Sequence, residues 1–225
     1  QAATARGRFT VALSGGSLMD LLSPPLITDP FRSQIHWTPW EVFWADERCV
    51  PLFSPDSNFA AASRLLFKHV DIPREQIHAI DDTLAPQEAA RSYQATIKSV
   101  LQPDPGLLPR FDLILLGMGQ DGHTASLFPG HEVLQEKQKW VAPVLNAPKP
   151  PTERITLTLP VINYAREVIF VVTGAEKAPA LRAVFYKQSH NQSLPAALVN
   201  PTHGHLQWLV DEAASHQLKS CSTDK

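Results

Sequence analysis

Residues 111–117 read Phe-Asp-Leu-Ile-Leu-Leu-Gly. This run is too short for a helix, apolar almost throughout, and closed by a glycine, so it predicts a strand buried in a sheet interior. Phe9–Leu13, Glu41–Trp44 and Glu167–Val172 read the same way, and Ile77–Ile80, Trp140–Leu145, Ile155–Leu159 and Leu206–Val210 are further strand candidates. Helical stretches fall between them. Leu18–Leu22 is a short one. Ser57 caps another that runs to about Val70, with Phe59, Ala62 and Leu66 on one face. Pro86 suits the first turn of a helix ending near Leu101. Helices also fit from about Glu176 to Lys187 and onward from Asp211, whereas the proline-rich stretch 23–39 has no readable pattern. Apolar strands alternating with helices predict an α/β fold: a single domain, Rossmann-like, with a largely parallel sheet flanked by helices.

Composition narrows the function classes. With 44% hydrophobic and 19% charged residues among 225, a sizeable core forms and disorder is not expected. The 20 basic and 22 acidic side chains leave a net charge of -2, which disfavours nucleic acid as a partner. No apolar run approaches the roughly 18 residues of a membrane helix, and no basic-then-apolar leader opens the chain. Two cysteines, Cys49 and Cys221, cannot build a disulfide framework and point to a reducing compartment, the cytoplasm.

In a parallel α/β sheet, ligands bind at the carboxyl ends of the strands. Four polar or glycine-bearing segments are expected there: Ser14–Ser17, Asp46–Arg48, Gly117–His123 and Gly174–Lys177. Ser14-Gly15-Gly16-Ser17 joins a strand to a helix, as a phosphate-binding loop does, although on this feature alone a plain tight turn is the better reading. In Gly117-Met-Gly-Gln-Asp-Gly-His-Thr-Ala-Ser-Leu-Phe-Pro129, three glycines allow an unusual path that presents His123, with Asp121 placed to orient its ring. The plainer alternative is a helix cap by Asp121 beside a surface histidine. Asp46-Glu47-Arg48 reads as either a site or a solvated turn, with Arg48 able to stabilise a developing oxyanion; charge pattern alone favours the turn. Arg154 precedes a strand. Lys177 sits near a helix start, where a cation opposes the helix dipole unless an anion is shared. His203-Gly204-His205 lacks further ligands at metal-site spacing and is read as a turn. Asn191-Gln192-Ser193 matches a glycosylation sequon, a weak signal without a secretory context.

Ser14–Ser17, Asp46–Arg48, the segment 117–129, Arg154-Ile-Thr-Leu-Thr-Leu159 and Leu194-Pro-Ala-Ala-Leu-Val199 together resemble the 6-phosphogluconolactonase family over about residues 9–215. The resemblance implies hydrolysis of 6-phospho-D-glucono-1,5-lactone without a cofactor, on the fold shared with glucosamine-6-phosphate deaminases. It implies His123 as general base and Arg48 as the charge-stabilising group. Arg154 and Lys177 are implied around the phosphate, Ser14, Gly15 and Gly16 as loop contacts, and Asp46 and Asp121 as acidic site residues. The family's first strand and helix are expected to be missing ahead of Phe9, and a monomer is expected.

Two alternatives accompany this reading, a sugar-phosphate isomerase/deaminase and a non-catalytic sugar-phosphate sensor. The deaminase pattern has a glutamate five residues after the histidine and an aromatic residue after Asp-Glu. Here those positions hold Phe128 and Arg48. Phenylalanine transfers no proton, and arginine repels a substrate ammonium, so the lactonase reading is favoured.

Overall fold

The computed structural model describes residues 2–186 and 194–218. In chain order its elements are α1 (Ala2–Arg6), β1 (Phe9–Leu13), α2 (Ser17–Leu26), α3 (Phe31–Gln34), β2 (Trp40–Trp44), β3 (Asp46–Arg48), α4 (Asn58–Leu65) and α5 (Pro86–Leu101). There follow β4 (Leu113–Leu116), β5 (Val141–Val144), β6 (Arg154–Leu157), α6 (Leu159–Ile162), β7 (Glu167–Val172), α7 (Ala178–Tyr186), α8 (Pro195–Leu198), β8 (His205–Val210) and α9 (Glu212–Ser215).

Five strands form one wholly parallel sheet in the order β2-β1-β4-β7-β8. From β1 the chain steps outward to β2, then returns to the other side of β1 with β4. The crevice between the carboxyl ends of β1 and β4 is therefore the topological switch point, where open α/β sheets bind ligands. The core explains why these runs became central strands. Phe43, Trp44, Phe111 and Phe170 are fully buried, and the Phe43 and Phe111 rings meet edge-on at 5.4 Å. Helix α5 turns Ala89, Ala90, Tyr93, Ile97 and Leu101 inward at helical spacing. The Tyr93 hydroxyl also accepts the Trp44 N–H at 2.7 Å, so one buried side chain links helix to sheet.

Several expectations need correction. The parallel sheet is accompanied by a second, antiparallel sheet of order β3-β6-β5, and the candidates around Trp140–Leu145 and Ile155–Leu159 belong to it. Asp46–Arg48 is not a solvated turn but strand β3 of that sheet, with Asp46 and Glu47 buried. Ile77–Ile80 forms no strand. Only Ile77 bridges Val42, after which the segment packs its isoleucines against the sheet as a loop. Helix α4 stops at Leu65 and passes into a tight 3-10 turn over Phe67–His69. The helix expected from Glu176 likewise starts as a 3-10 turn, Ala175–Lys177, before α7. In the stretch 23–39, α2 continues through Pro24 and Pro25, and α3 follows. Lys187, Asn191–Ser193 and Cys221 lie outside the described residues. Among the described residues, no helix is long and apolar enough to cross a membrane.

Phe111 fills the joint between β4 and the aromatic core at 0% exposure. Phe111→Ala is expected to destabilise the fold by about 3–5 kcal/mol. Urea unfolding should show this as a lower midpoint at unchanged slope.

Candidate active site

A cavity of about 320 Å³ opens at the switch point, lined by the loop after β1, the turn after β4, β3, the start of β6 and the turn after β7. Each wall has a local reason. Between β1 and α2 the chain passes through Ser14, Gly15 and Gly16, and no side chain caps the N-terminus of α2. A Cβ on Gly15 would lie 1.8 Å from the Asn58 side-chain oxygen, so glycine lets Asn58 pack beneath this loop. Asn58 is itself tied to the Asp46 carbonyl at 2.8 Å.

The turn after β4 folds back on itself, with the Gly119 N–H donating to the His123 carbonyl at 2.9 Å. A Cβ on Gly119 would fall 2.0 Å from His123 Nδ1, so only glycine admits the ring here. His123 Nδ1 lies 2.5 Å from Asp121 Oδ1. With the carboxylate accepting at Nδ1–H, Nε2 is left as the basic nitrogen. Burial pushes the His123 pKa below its ordinary value; Asp121 opposes this, and the Lys149 ammonium adds to it. The imidazole is therefore neutral at pH 7. Burial would raise the Asp121 carboxyl, but hydrogen bonds from His123 and its charge hold it below the usual range. Asp121 thus caps no helix, and it stands behind His123 rather than in the cavity wall.

Strand β3 supplies two buried carboxylates. Asp46 Oδ2 accepts the Ser126 hydroxyl at 2.6 Å, and Ser126 also takes a 3.4 Å bond from Arg154 Nη1. Glu47 accepts the backbone N–H groups of Arg48, Asn58 and Phe59 and the Ser57 hydroxyl, at 2.7–3.2 Å. Burial pushes its carboxyl up to about 7 against those bonds, which favour the ionised form.

Arg48 and Arg154 lie opposite each other in the β3–β6 ladder. Like charges directly across strands destabilise a sheet. Both guanidinium groups are nevertheless fixed. Arg48 donates to the Asp56 carbonyl at 2.7 Å, while its buried Nε has no hydrogen-bond partner among the described residues. Arg154 is 4% exposed and donates to the Pro151 and Lys149 carbonyls, each at 2.8 Å. The Phe128 ring lies between the two halves of the site, 4.7 Å from the His123 ring and 5.4 Å from the Arg154 guanidinium. Lys177 joins the wall from the 3-10 turn after β7. The lining then carries Arg48, Lys149, Arg154 and Lys177 against Asp46, a strong bias toward an anion of sugar-phosphate size.

Of the residues singled out in the sequence, Ser14, Gly15, Gly16, Asp46, Arg48, His123, Arg154 and Lys177 line this one cavity. Lys149 and Ser126 were missed. Lys149 sits in a proline-rich loop with no pattern of its own, and Ser126 is polar but wholly buried, visible in the sequence only as part of the histidine segment. Among the described residues Cys49 has no disulfide partner, and burial pushes its thiol up to about 12, so it offers no thiolate. Among the described residues, no group of three or more His, Cys, Asp or Glu gathers as a metal site.

The model of the glucosamine-6-phosphate isomerases/6-phosphogluconolactonase family matches residues 1–208. The chain belongs to this family. It is 44% identical to probable 6-phosphogluconolactonase 3, chloroplastic, of Oryza sativa subsp. indica, over 98% of the chain and 69% of that protein. It is 43% identical to 6-phosphogluconolactonase of Homo sapiens, over 96% of the chain and 83% of that protein. The 6-phosphogluconolactonase structure from Trypanosoma cruzi superposes with a TM-score of 0.79 at 29% identity, covering 96% of this chain and 86% of that one. A monomeric glucosamine-6-phosphate deaminase, at 18% identity and a TM-score of 0.75, shares the fold. Of the two positions at which the lactonase and deaminase motifs differ, Arg48 lines the cavity and Phe128 is buried behind it, against His123 and Arg154.

His123 should titrate below about 6.5, the ordinary histidine value. In Asp121→Asn the carboxylate that favours the imidazolium is gone, so the midpoint should fall further. Histidine NMR resonances followed against pH check both. A midpoint that rises in the variant would contradict the pairing.

Proposed function

We propose that the chain hydrolyses 6-phospho-D-glucono-1,5-lactone to 6-phospho-D-gluconate, with His123 as general base and Arg48 as the oxyanion-stabilising group. The observation that carries the reading is a neutral, Asp121-anchored imidazole facing a cavity with two fixed guanidinium groups. The family membership and the relatives named 6-phosphogluconolactonase support it.

His123 Nε2 takes a proton from a water whose oxygen attacks lactone C1. The carbonyl electrons move onto oxygen, and Arg48, a permanent cation with an unspent buried Nε, stabilises that charge. Collapse breaks the bond from C1 to the ring oxygen, which takes the proton back from the imidazolium. Asp121 holds the ring in the tautomer that makes this possible and stabilises the charged intermediate form. Arg154, Lys177 and the backbone of Ser14–Gly16 hold the phosphate, with Lys149 as a further cation at the mouth. Asp46 acts through Ser126, keeping Arg154 in place. Phe128, packed against the His123 ring, supplies no acid, which speaks against deamination of an amino sugar. A monomer is the expectation. The expected location is the cytoplasm. The rice relative is named chloroplastic, and fractionation of the native protein decides.

The direct test is acid release from fresh phosphogluconolactone, corrected for spontaneous opening, alongside ammonia release from glucosamine 6-phosphate. Lactone hydrolysis without ammonia is expected. Ammonia without lactone hydrolysis overturns the reading, and activity on neither favours a sensor. His123→Ala should lower kcat by about 10²–10⁴-fold.

Arg154→Ala and Lys177→Ala should each raise KM for the phosphorylated lactone roughly tenfold or more, since a charge-assisted hydrogen bond contributes about 1.5–3 kcal/mol. Unphosphorylated gluconolactone should be affected much less. Equal losses on both lactones would contradict the phosphate assignment.

A further inference from the structure

At the opposite edge of the main sheet, where β1, β4 and β7 begin, a second cleft of about 260 Å³ gathers Arg6, Arg8, Arg110 and Arg166. The acidic side chains in its wall are Asp104 and Asp112. Asp112 is buried and fully engaged. It accepts the Thr10 N–H and hydroxyl and pairs with both Arg6 and Arg166. Each arginine has an anchor that fixes its direction. Arg8 donates to the Val100 and Leu101 carbonyls at the end of α5, and Arg110 donates to the His203 carbonyl while lying 5.6 Å over the Tyr164 ring. A guanidinium has five N–H donors, more than these partners use. Among the described residues, buried Arg110 Nε has no hydrogen-bond partner. Burial, together with the charges of Arg6 and Arg110, pushes the Arg166 guanidinium below its ordinary range, which means the cluster repels itself.

We propose that this cleft is a second anion site that binds a phosphate dianion, either inorganic phosphate or a small phosphate monoester. Four arginines against two aspartates leave an excess of two positive charges, which a dianion neutralises. Planar guanidinium forks held at fixed angles match phosphate oxygens bidentately. The backbone anchors mean that little side-chain entropy is lost on binding. The cleft shares no residue with the active-site cavity, so it stands or falls independently of the lactonase reading.

The test is a ¹⁵N NMR titration of the protein with sodium phosphate at pH 8, at constant ionic strength held with chloride, repeated with methyl phosphate. We expect saturable shifts of the Thr10, Asp112 and Arg166 amides with half-saturation at about 1 mM or below, a free energy of about -4 kcal/mol. These should be separate from shifts around Ser17 and Lys177. Arg110→Gln with Arg166→Gln should weaken binding at this edge roughly tenfold or more, leaving the active-site shifts and lactone hydrolysis unchanged. Because Arg166 also pairs with Asp112, Arg110→Gln alone serves as the variant that spares that pair, and it should weaken binding severalfold. Tighter binding of methyl phosphate identifies a monoester as the ligand, and equal or weaker binding identifies inorganic phosphate. Non-saturable shifts, or equal phosphate affinity in wild type and both folded variants, overturn the proposal.

Discussion

Two buried carboxylates hold the site together. Asp46 and Glu47 follow each other on β3, just where the chain leaves the parallel sheet for the antiparallel one. An ionised carboxylate out of water is costly unless every oxygen is satisfied, so each of them dictates what must stand nearby. Glu47 gathers the N-terminal N–H groups of α4 and the Ser57 hydroxyl, which docks that helix against the strand. Asp46 reaches the opposite way, through Ser126 to the histidine segment and on to Arg154. Asn58, placed by this clasp, packs under Gly15 and sets the floor of the first loop. Three walls of the cavity thus rest on one dipeptide.

The same clasp makes a concentrated positive charge tolerable. Arg48 and Arg154 face each other across a ladder and are partly withdrawn from water, an arrangement that costs stability until an anion arrives. Asp46 and Glu47 lie close enough to offset some of that cost and favour the charged Arg154. Carbonyl anchors from residues 149 and 151 and from Asp56 then set where the guanidinium groups point. Such preorganisation is what transition-state stabilisation requires, because the donors need not rearrange as charge develops. His123 is prepared by opposing influences. Burial and the Lys149 ammonium favour the neutral base, while Asp121 and Asp46 favour the imidazolium that forms during turnover.

A good deal of this was legible in the sequence, because the signals concerned are local. The runs Phe9–Leu13 and Glu167–Val172 are apolar at strand length, and both became strands with those bounds. Pro86 and the inward spacing from Ala89 to Leu101 define α5 without help from the rest of the chain. The histidine segment carries three glycines, of which Gly119 and Gly122 have a steric need, so its unusual path could be anticipated. What it would do to His123 could be anticipated only in part.

The remainder depended on residues far apart in the chain. Whether Asp-Glu-Arg at 46–48 is a solvated turn or a buried strand cannot be read from three charged letters. It became a strand because β6, more than a hundred residues later, pairs with it and the donors of α4 close over Glu47. Ile77–Ile80 has the residues of a strand but forms a single bridge to β2, at Ile77, so apolar composition overpredicted it. Lys149 and Ser126 gained their places through the partners the fold brought them, Arg154 in both cases. Periodicity and glycine placement are properties of neighbouring residues, and the sequence alone determined them. The pairing of charges is a property of distance in space, and only the tertiary structure decided it.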